Sequence, residues 1–176
     1  MNTLVTYLED NLWAGAKTSP LCRWRLSLLL ALAYALPALG VGLFSGLLEP
    51  RLAELRWFFI LPFTLLIFPS LLEEAFFRGL LIPRNAREKG PWKVLFYTLL
   101  STVLFVLWHP LNALTINPEA QDFFLDPAFL IIVFLLGISC SLSYIYSRSL
   151  WTPTIIHWLT VLIWVLFLGG RNLVLE

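Results

Sequence analysis

The chain has 176 residues, 59 % of them hydrophobic and only 13 % charged, with a mean hydropathy of +0.81. Soluble domains carry about 25 % charged residues, so lipid solvates most of this chain. A net charge of +1 argues against nucleic acid as a partner, and the two cysteines, Cys22 and Cys140, match no zinc or redox spacing and read as small packing residues.

Residues 1–22 do not read as a cleavable signal peptide, because Glu9 and Asp10 come early and no basic region precedes a compact apolar core. Leu4, Tyr7, Leu8, Leu12 and Trp13 recur at helical spacing, which predicts a short amphipathic helix lying at the cytoplasmic interface as an anchor. The expected organisation is an N-terminal interfacial segment over 1–23, a transmembrane bundle over 24–170 and a tail over 171–176.

Charge-free runs at 26–48, 57–72, 94–118, 127–147 and 149–170 predict five spans. A span needs about 20 predominantly apolar residues, which the second run reaches only by continuing through Glu73, Glu74 and Arg78 to Pro83. The first span holds Pro37 and Gly40-Val41-Gly42, marks of a kink or close helix contact, and nothing chemical. Pro62 and Pro69 are expected to bend the second just before its glutamates. The third is predicted to end at His109, before Pro110, with 111–127 as an outer loop or, in its first half, a segment re-entering the membrane. Gly137, Ser139, Cys140, Ser141 and Ser143 give the fourth a small-residue face, and Trp151 opens the fifth. The fold class is therefore all-α, a polytopic membrane bundle of about five transmembrane helices plus the N-terminal helix. No internal repeat is visible, which counts against inverted-repeat transporters.

Lys17, Arg23, Arg25, Arg84, Arg87, Lys89, Lys93 and Arg148 fall on the N-terminal side of this topology, and only Arg51, Arg56 and Arg171 on the other. The positive-inside rule then puts the N-terminus in the cytoplasm.

The chemistry concentrates in Leu71-Leu72-Glu73-Glu74-Ala75-Phe76-Phe77-Arg78-Gly79. A charge at bilayer depth costs roughly 3 kcal/mol, so three together are either a structural ion pair between helices or a functional site. Both histidines, His109 and His157, also lie inside spans. Intramembrane ionisable groups face the bundle interior, so these residues are expected to converge. Glu74 and Arg78 stand four apart in the favourable order, whereas Glu73 lies about 100° around the helix. Arg78 then neutralises Glu74 and leaves Glu73 for general-base work, which a poorly solvated carboxylate suits. Counting along the helices puts Glu73 roughly 16 Å from Arg84 and His157 roughly 12 Å from Ser149, but His109 about 24 Å from Lys93, well toward the outer face. Glu73, His109 and His157 also match a catalytic zinc set of two histidines and a carboxylate, although no HExxH is present.

Glu73-Glu74-x-x-x-Arg78, Phe105-x-x-x-His109 and the later His157 resemble the three motifs of the CAAX-protease and bacteriocin-processing family, the glutamic-type intramembrane endopeptidases. The resemblance implies that Glu73 activates the attacking water, that His109 positions it, and that His157 stabilises the oxyanion. Glu74, Arg78 and Phe105 fall on accessory positions. The third motif often carries Asn four residues after its histidine; here that position is Val161, and Thr160 is the nearest hydroxyl. The implied enzyme needs no cofactor, with zinc as the alternative. It would act from a cytoplasm-facing site on a membrane-associated peptide or protein, in a bacterial cytoplasmic membrane; the CAAX preference belongs to the eukaryotic branch. An ion or proton pathway through the same residues, and a non-catalytic scaffold retaining them, are the competing classes.

Overall fold

The computed structural model describes residues 3–54 and 57–170. Arg56 and Arg171, counted in the charge bias, and the tail 171–176 lie outside the described residues. Four helices are long and apolar enough to cross a bilayer: Trp24–Ser45, Trp57–Leu80, Pro91–Thr115 and Pro127–Ser147. A shorter apolar helix, Trp151–Phe167, completes the bundle. Its 17 residues reach about 25 Å, a little under the roughly 30 Å hydrocarbon core.

The fourth helix is the axis of the packing, set against the first, third and fifth. Gly137, Ser139, Cys140, Ser141 and Ser143 are all buried there, so the small-residue face is the one that brings backbones together. A Cβ on Gly137 would sit 2.8 Å from Thr102 Cγ2 of the third helix, closer than real contacts allow. The hydroxyls close bonds across the interfaces: Ser139 to the Leu30 carbonyl at 3.1 Å and Ser101 to the Phe77 carbonyl at 2.8 Å. Cys140 is buried, as expected, but Cys22 is exposed and so is not a packing residue.

The second helix breaks at Pro69, whereas it runs on as α-helix through Pro62. Phe68 leaves helical geometry at φ −128° and ψ 121°, because the residue before a proline is excluded from the α region. Helix resumes from Pro69 onward and carries Glu73 and Glu74 on the new axis. Upstream, the Pro62 carbonyl accepts a bond from Trp158 Nε1 at 2.8 Å, so protein rather than lipid meets it.

Two expectations need correction. The third helix does not stop at His109; it continues through Pro110 to Thr115. At 25 residues it measures about 37 Å, longer than the hydrocarbon core, and His109 stands six residues inside its end. The first five residues of the expected outer loop, 111–115, are thus helix, followed by the short turns Pro118–Ala120 and Gln121–Phe124.

The N-terminal segment is also more than a surface anchor. Its helical stretches Thr3–Leu8, Glu9–Trp13 and Ala14–Lys17 dock a Tyr7, Asn11 and Gly15 stripe onto the bundle. Tyr7 donates to the Leu80 carbonyl at 2.7 Å, Asn11 bonds the Ile82 carbonyl and the Arg84 amide at 3.2 Å each, and the Leu150 amide donates to the Gly15 carbonyl at 3.0 Å. Leu12 seats against Gly79, where a Cβ would meet it at 2.6 Å. Leu4, Val5 and Trp13 stay exposed on the opposite side. The apolar pattern was therefore divided between a docked face and an outward one.

Candidate active site

Glu74 is fully buried, and its Oε1 accepts from Arg78 Nη1 at 3.0 Å, the i,i+4 pair anticipated from spacing. Arg78 is equally buried; Nη2 donates to the Gly137 carbonyl at 3.1 Å and the guanidinium lies 4.5 Å over the Phe105 ring. The glycine that lets the third and fourth helices approach thus also offers the arginine its acceptor.

Glu74 has a second partner that spacing did not reveal. His157 Nδ1 lies 2.9 Å from the same Oε1, while its Nε2 stands 3.9 Å from Glu73 Oε2. The first distance is a hydrogen bond in which the ring donates; the second is an ion-pair distance. Two carboxylates and two potential cations, Arg78 and His157, form one cluster spanning the second and fifth helices.

Glu73 keeps a freer position. Trp108 Nε1 donates to its Oε1 at 3.2 Å, and Oε2 has no hydrogen-bond partner among the described residues. Trp108 was not singled out from the sequence, although an indole N–H inside an apolar span must find an acceptor. His109 Nδ1 donates to the Phe105 carbonyl at 2.9 Å, which leaves Nε2 as its acceptor nitrogen. Phe105, with no exposed surface, is the hub: its ring meets His109 at 5.0 Å, His157 at 5.6 Å and Phe77 at 5.2 Å, all edge-on.

Glu73, His109 and His157 line a single cavity of about 1060 Å³. Its walls are mostly apolar, among them Tyr34, Phe124, Phe129, Ile156 and Trp164. It runs from Glu73 toward the Asn117–Ala120 turn, where Pro118 and Glu119 are exposed, and sideways between Leu32 and Leu39 of the first helix and Phe68 of the second. The opposite end of the bundle, bearing Lys17, Arg84 and Lys93, is covered by the N-terminal segment. A cytoplasmic N-terminus and a cytoplasm-facing site therefore do not go together: the cavity faces away from the basic end.

Thr160 also lines the cavity, but its hydroxyl donates to the Ile156 carbonyl at 2.8 Å on its own helix. In this arrangement its proton points to its own helix and not into the cavity. Val161 lies on the cavity wall and packs against the Leu61, Leu65, Val165 and Leu166 cluster. Glu73, His109 and His157 share the cavity, and among the described residues no three His, Cys, Asp or Glu side chains are grouped closely enough to hold a metal as they stand.

The fold and this cluster define a multi-pass α-helical membrane protein with an acidic–histidine site enclosed at membrane depth. The family described as type II CAAX prenyl endopeptidase Rce1-like matches residues 55–163, a stretch that includes every one of these site residues, and the chain belongs to that family. It is accordingly a membrane-embedded protease, a hydrolase. No curated protein and no solved structure matches the chain.

Proposed function

We propose that the chain hydrolyses a peptide bond through a water activated by Glu73, without a covalent enzyme intermediate and without a metal. The observation that carries this reading is the free carboxylate oxygen of Glu73 in the cavity that His109 and His157 share. A water there donates one hydrogen to Glu73 and the other to the acceptor Nε2 of His109. Its lone pair is then directed at the substrate carbonyl. As the new C–O bond forms, Glu73 takes the water's proton, and it delivers that proton to the amine as the C–N bond breaks.

His157 supplies the charge stabilisation. Glu74 fixes the ring through Nδ1, so Nε2 is the edge turned toward Glu73. With both nitrogens protonated, that edge donates to the oxyanion, a contribution typically worth a few kcal/mol. The four groups Glu73, Glu74, Arg78 and His157 then sum to zero charge, which suits a site enclosed by lipid-facing helices.

The bias of Lys and Arg toward the N-terminal end of the bundle supports an orientation with the N-terminus in the cytoplasm. In that orientation the cavity receives a membrane-associated peptide from within the bilayer or from the outer side. The CAAX preference in the family's description is not assumed to carry over.

The test uses the purified protein in lipid nanodiscs with a panel of quenched fluorescent peptides, some farnesylated at a C-terminal CAAX box and some N-acylated. Cleavage that falls by at least about 1000-fold in Glu73→Gln and is indifferent to chelators is the expected result. Cleavage untouched by Glu73→Gln sinks the mechanism, and loss on chelation with recovery on zinc replaces it with metal chemistry.

A further inference from the structure

Asn112 is a polar side chain of the cavity to which the proposed reaction gives no task. It follows His109 by three residues and Trp108 by four on the third helix, so it projects between those two side chains, one turn nearer the Asn117–Ala120 rim. It lines the same cavity as Glu73, His109 and His157. Its Oδ1 is buried and has no hydrogen-bond partner among the described residues. An unpaired buried acceptor is a standing penalty that a ligand can remove.

The chemistry of the ligand follows from the amide. Asn presents one acceptor and a paired donor, which is the complement of a peptide group. Of the surrounding walls, Phe124 and Ile156 are apolar, and Trp164 adds one indole N–H that has no hydrogen-bond partner among the described residues. Three residues of helix rise by about 4.5 Å, more than the roughly 3.3 Å between neighbouring residues of an extended peptide. Asn112 thus falls opposite a residue next to the scissile bond and not opposite the reacting carbonyl.

We infer that Asn112 is a substrate-positioning residue that binds the backbone of the peptide beside the scissile bond, Nδ2 donating to a carbonyl and Oδ1 accepting from an N–H. This rests on the protease reading above. It also narrows the substrate class: the bound segment must be extended or unwound, because an intact helix has no backbone groups free for the amide.

Steady-state cleavage of the same reporter peptides, each also made with single amide-to-ester replacements around the cleaved bond, tests this. An ester removes the N–H that Oδ1 accepts. Wild type is expected to lose about tenfold in kcat/KM at one ester position, the size of one hydrogen bond, and Asn112→Leu to show no loss there. Asn112→Leu itself should raise KM about tenfold with kcat within about threefold, and Asn112→Gln should recover part of the affinity. Asn112→Asp, isosteric and unable to donate, serves if the leucine variant does not fold; it should weaken KM yet keep the ester penalty. An ester profile identical in wild type and Asn112→Leu overturns this inference alone. A wild-type protein that cleaves none of the peptides overturns it together with the protease reading.

Discussion

His157 Nδ1 lies 2.9 Å from Glu74 Oε1, the oxygen that Arg78 Nη1 meets at 3.0 Å. One carboxylate oxygen thus ties a cation of the second helix to an imidazole of the fifth. Replacing Glu74 with Gln keeps the shape but leaves Arg78 buried without its anion, at a cost of about 3–5 kcal/mol. Arg78→Met alone leaves Glu74 with His157 as its remaining partner and the cluster with one excess negative charge. The double variant should be markedly less destabilised than the sum of the two, since no uncompensated charge remains. Thermal unfolding in detergent of all four proteins measures this, and strict additivity would count against a coupled pair. Cleavage should fall in Glu74→Gln as well, because a neutral amide oxygen holds the His157 ring more weakly than the carboxylate does.

Trp108 gives a cleaner separation of chemistry from packing. Its indole donates to Glu73 at 3.2 Å, and Phe in its place keeps an aromatic ring in the helix while removing the donor. A hydrogen bond to a charged group is worth about 1.5–3 kcal/mol, so Trp108→Phe is expected to lower kcat by roughly 10- to 100-fold with little change in melting temperature. An unchanged kcat would show that Glu73 does not need this donor to hold its position.

The legibility of this molecule divides along physical lines. Charge-free runs mark the helices because lipid forbids unpaired charge, and the Glu74–Arg78 bond follows from helix periodicity alone. His157 bonded to Glu74, and Trp108 to Glu73, depend on how separate helices rotate against one another, which no single helix's pattern encodes. The extension past Pro110 was hidden for a related reason: proline usually stops helices in water, but in a membrane neighbouring segments can meet the freed carbonyl. Likewise the N-terminal stripe of Tyr7, Asn11 and Gly15 carries too little apolar surface to register as a docking face, although its polar bonds make it one.

That docking has a measurable strength. Asn11 is 1 % exposed and holds both the Ile82 carbonyl and the Arg84 amide through its side chain. Asn11→Ala strands both groups at the end of the helix that carries the glutamates, a cost of about 1–3 kcal/mol. Hydrogen exchange followed by mass spectrometry should show faster exchange over the N-terminal segment and residues 80–84, with the fourth helix unchanged. Uniform acceleration across the bundle would mean that the segment is part of the core rather than a clasp on its end.

Thr160 and Val161 bear on the step that the third motif normally assists. The Thr160 hydroxyl is held by the Ile156 carbonyl at 2.8 Å, so Thr160→Val should leave kcat within about threefold. Val161 stands one residue on, with part of its surface in the cavity and part on the Leu61 and Val165 cluster. An asparagine there places an amide four residues after His157 on the same side of the helix, within reach of an oxyanion at the His157 edge. Removing such a donor costs other enzymes about 100-fold or more, so supplying one by Val161→Asn is expected to raise kcat by tenfold or more, less whatever the lost apolar contact takes from stability. Rates at saturating peptide and melting temperatures of the two variants decide it together. If Thr160→Val is slow and Val161→Asn brings no gain, the hydroxyl leaves its helix bond in the transition state and is itself the donor.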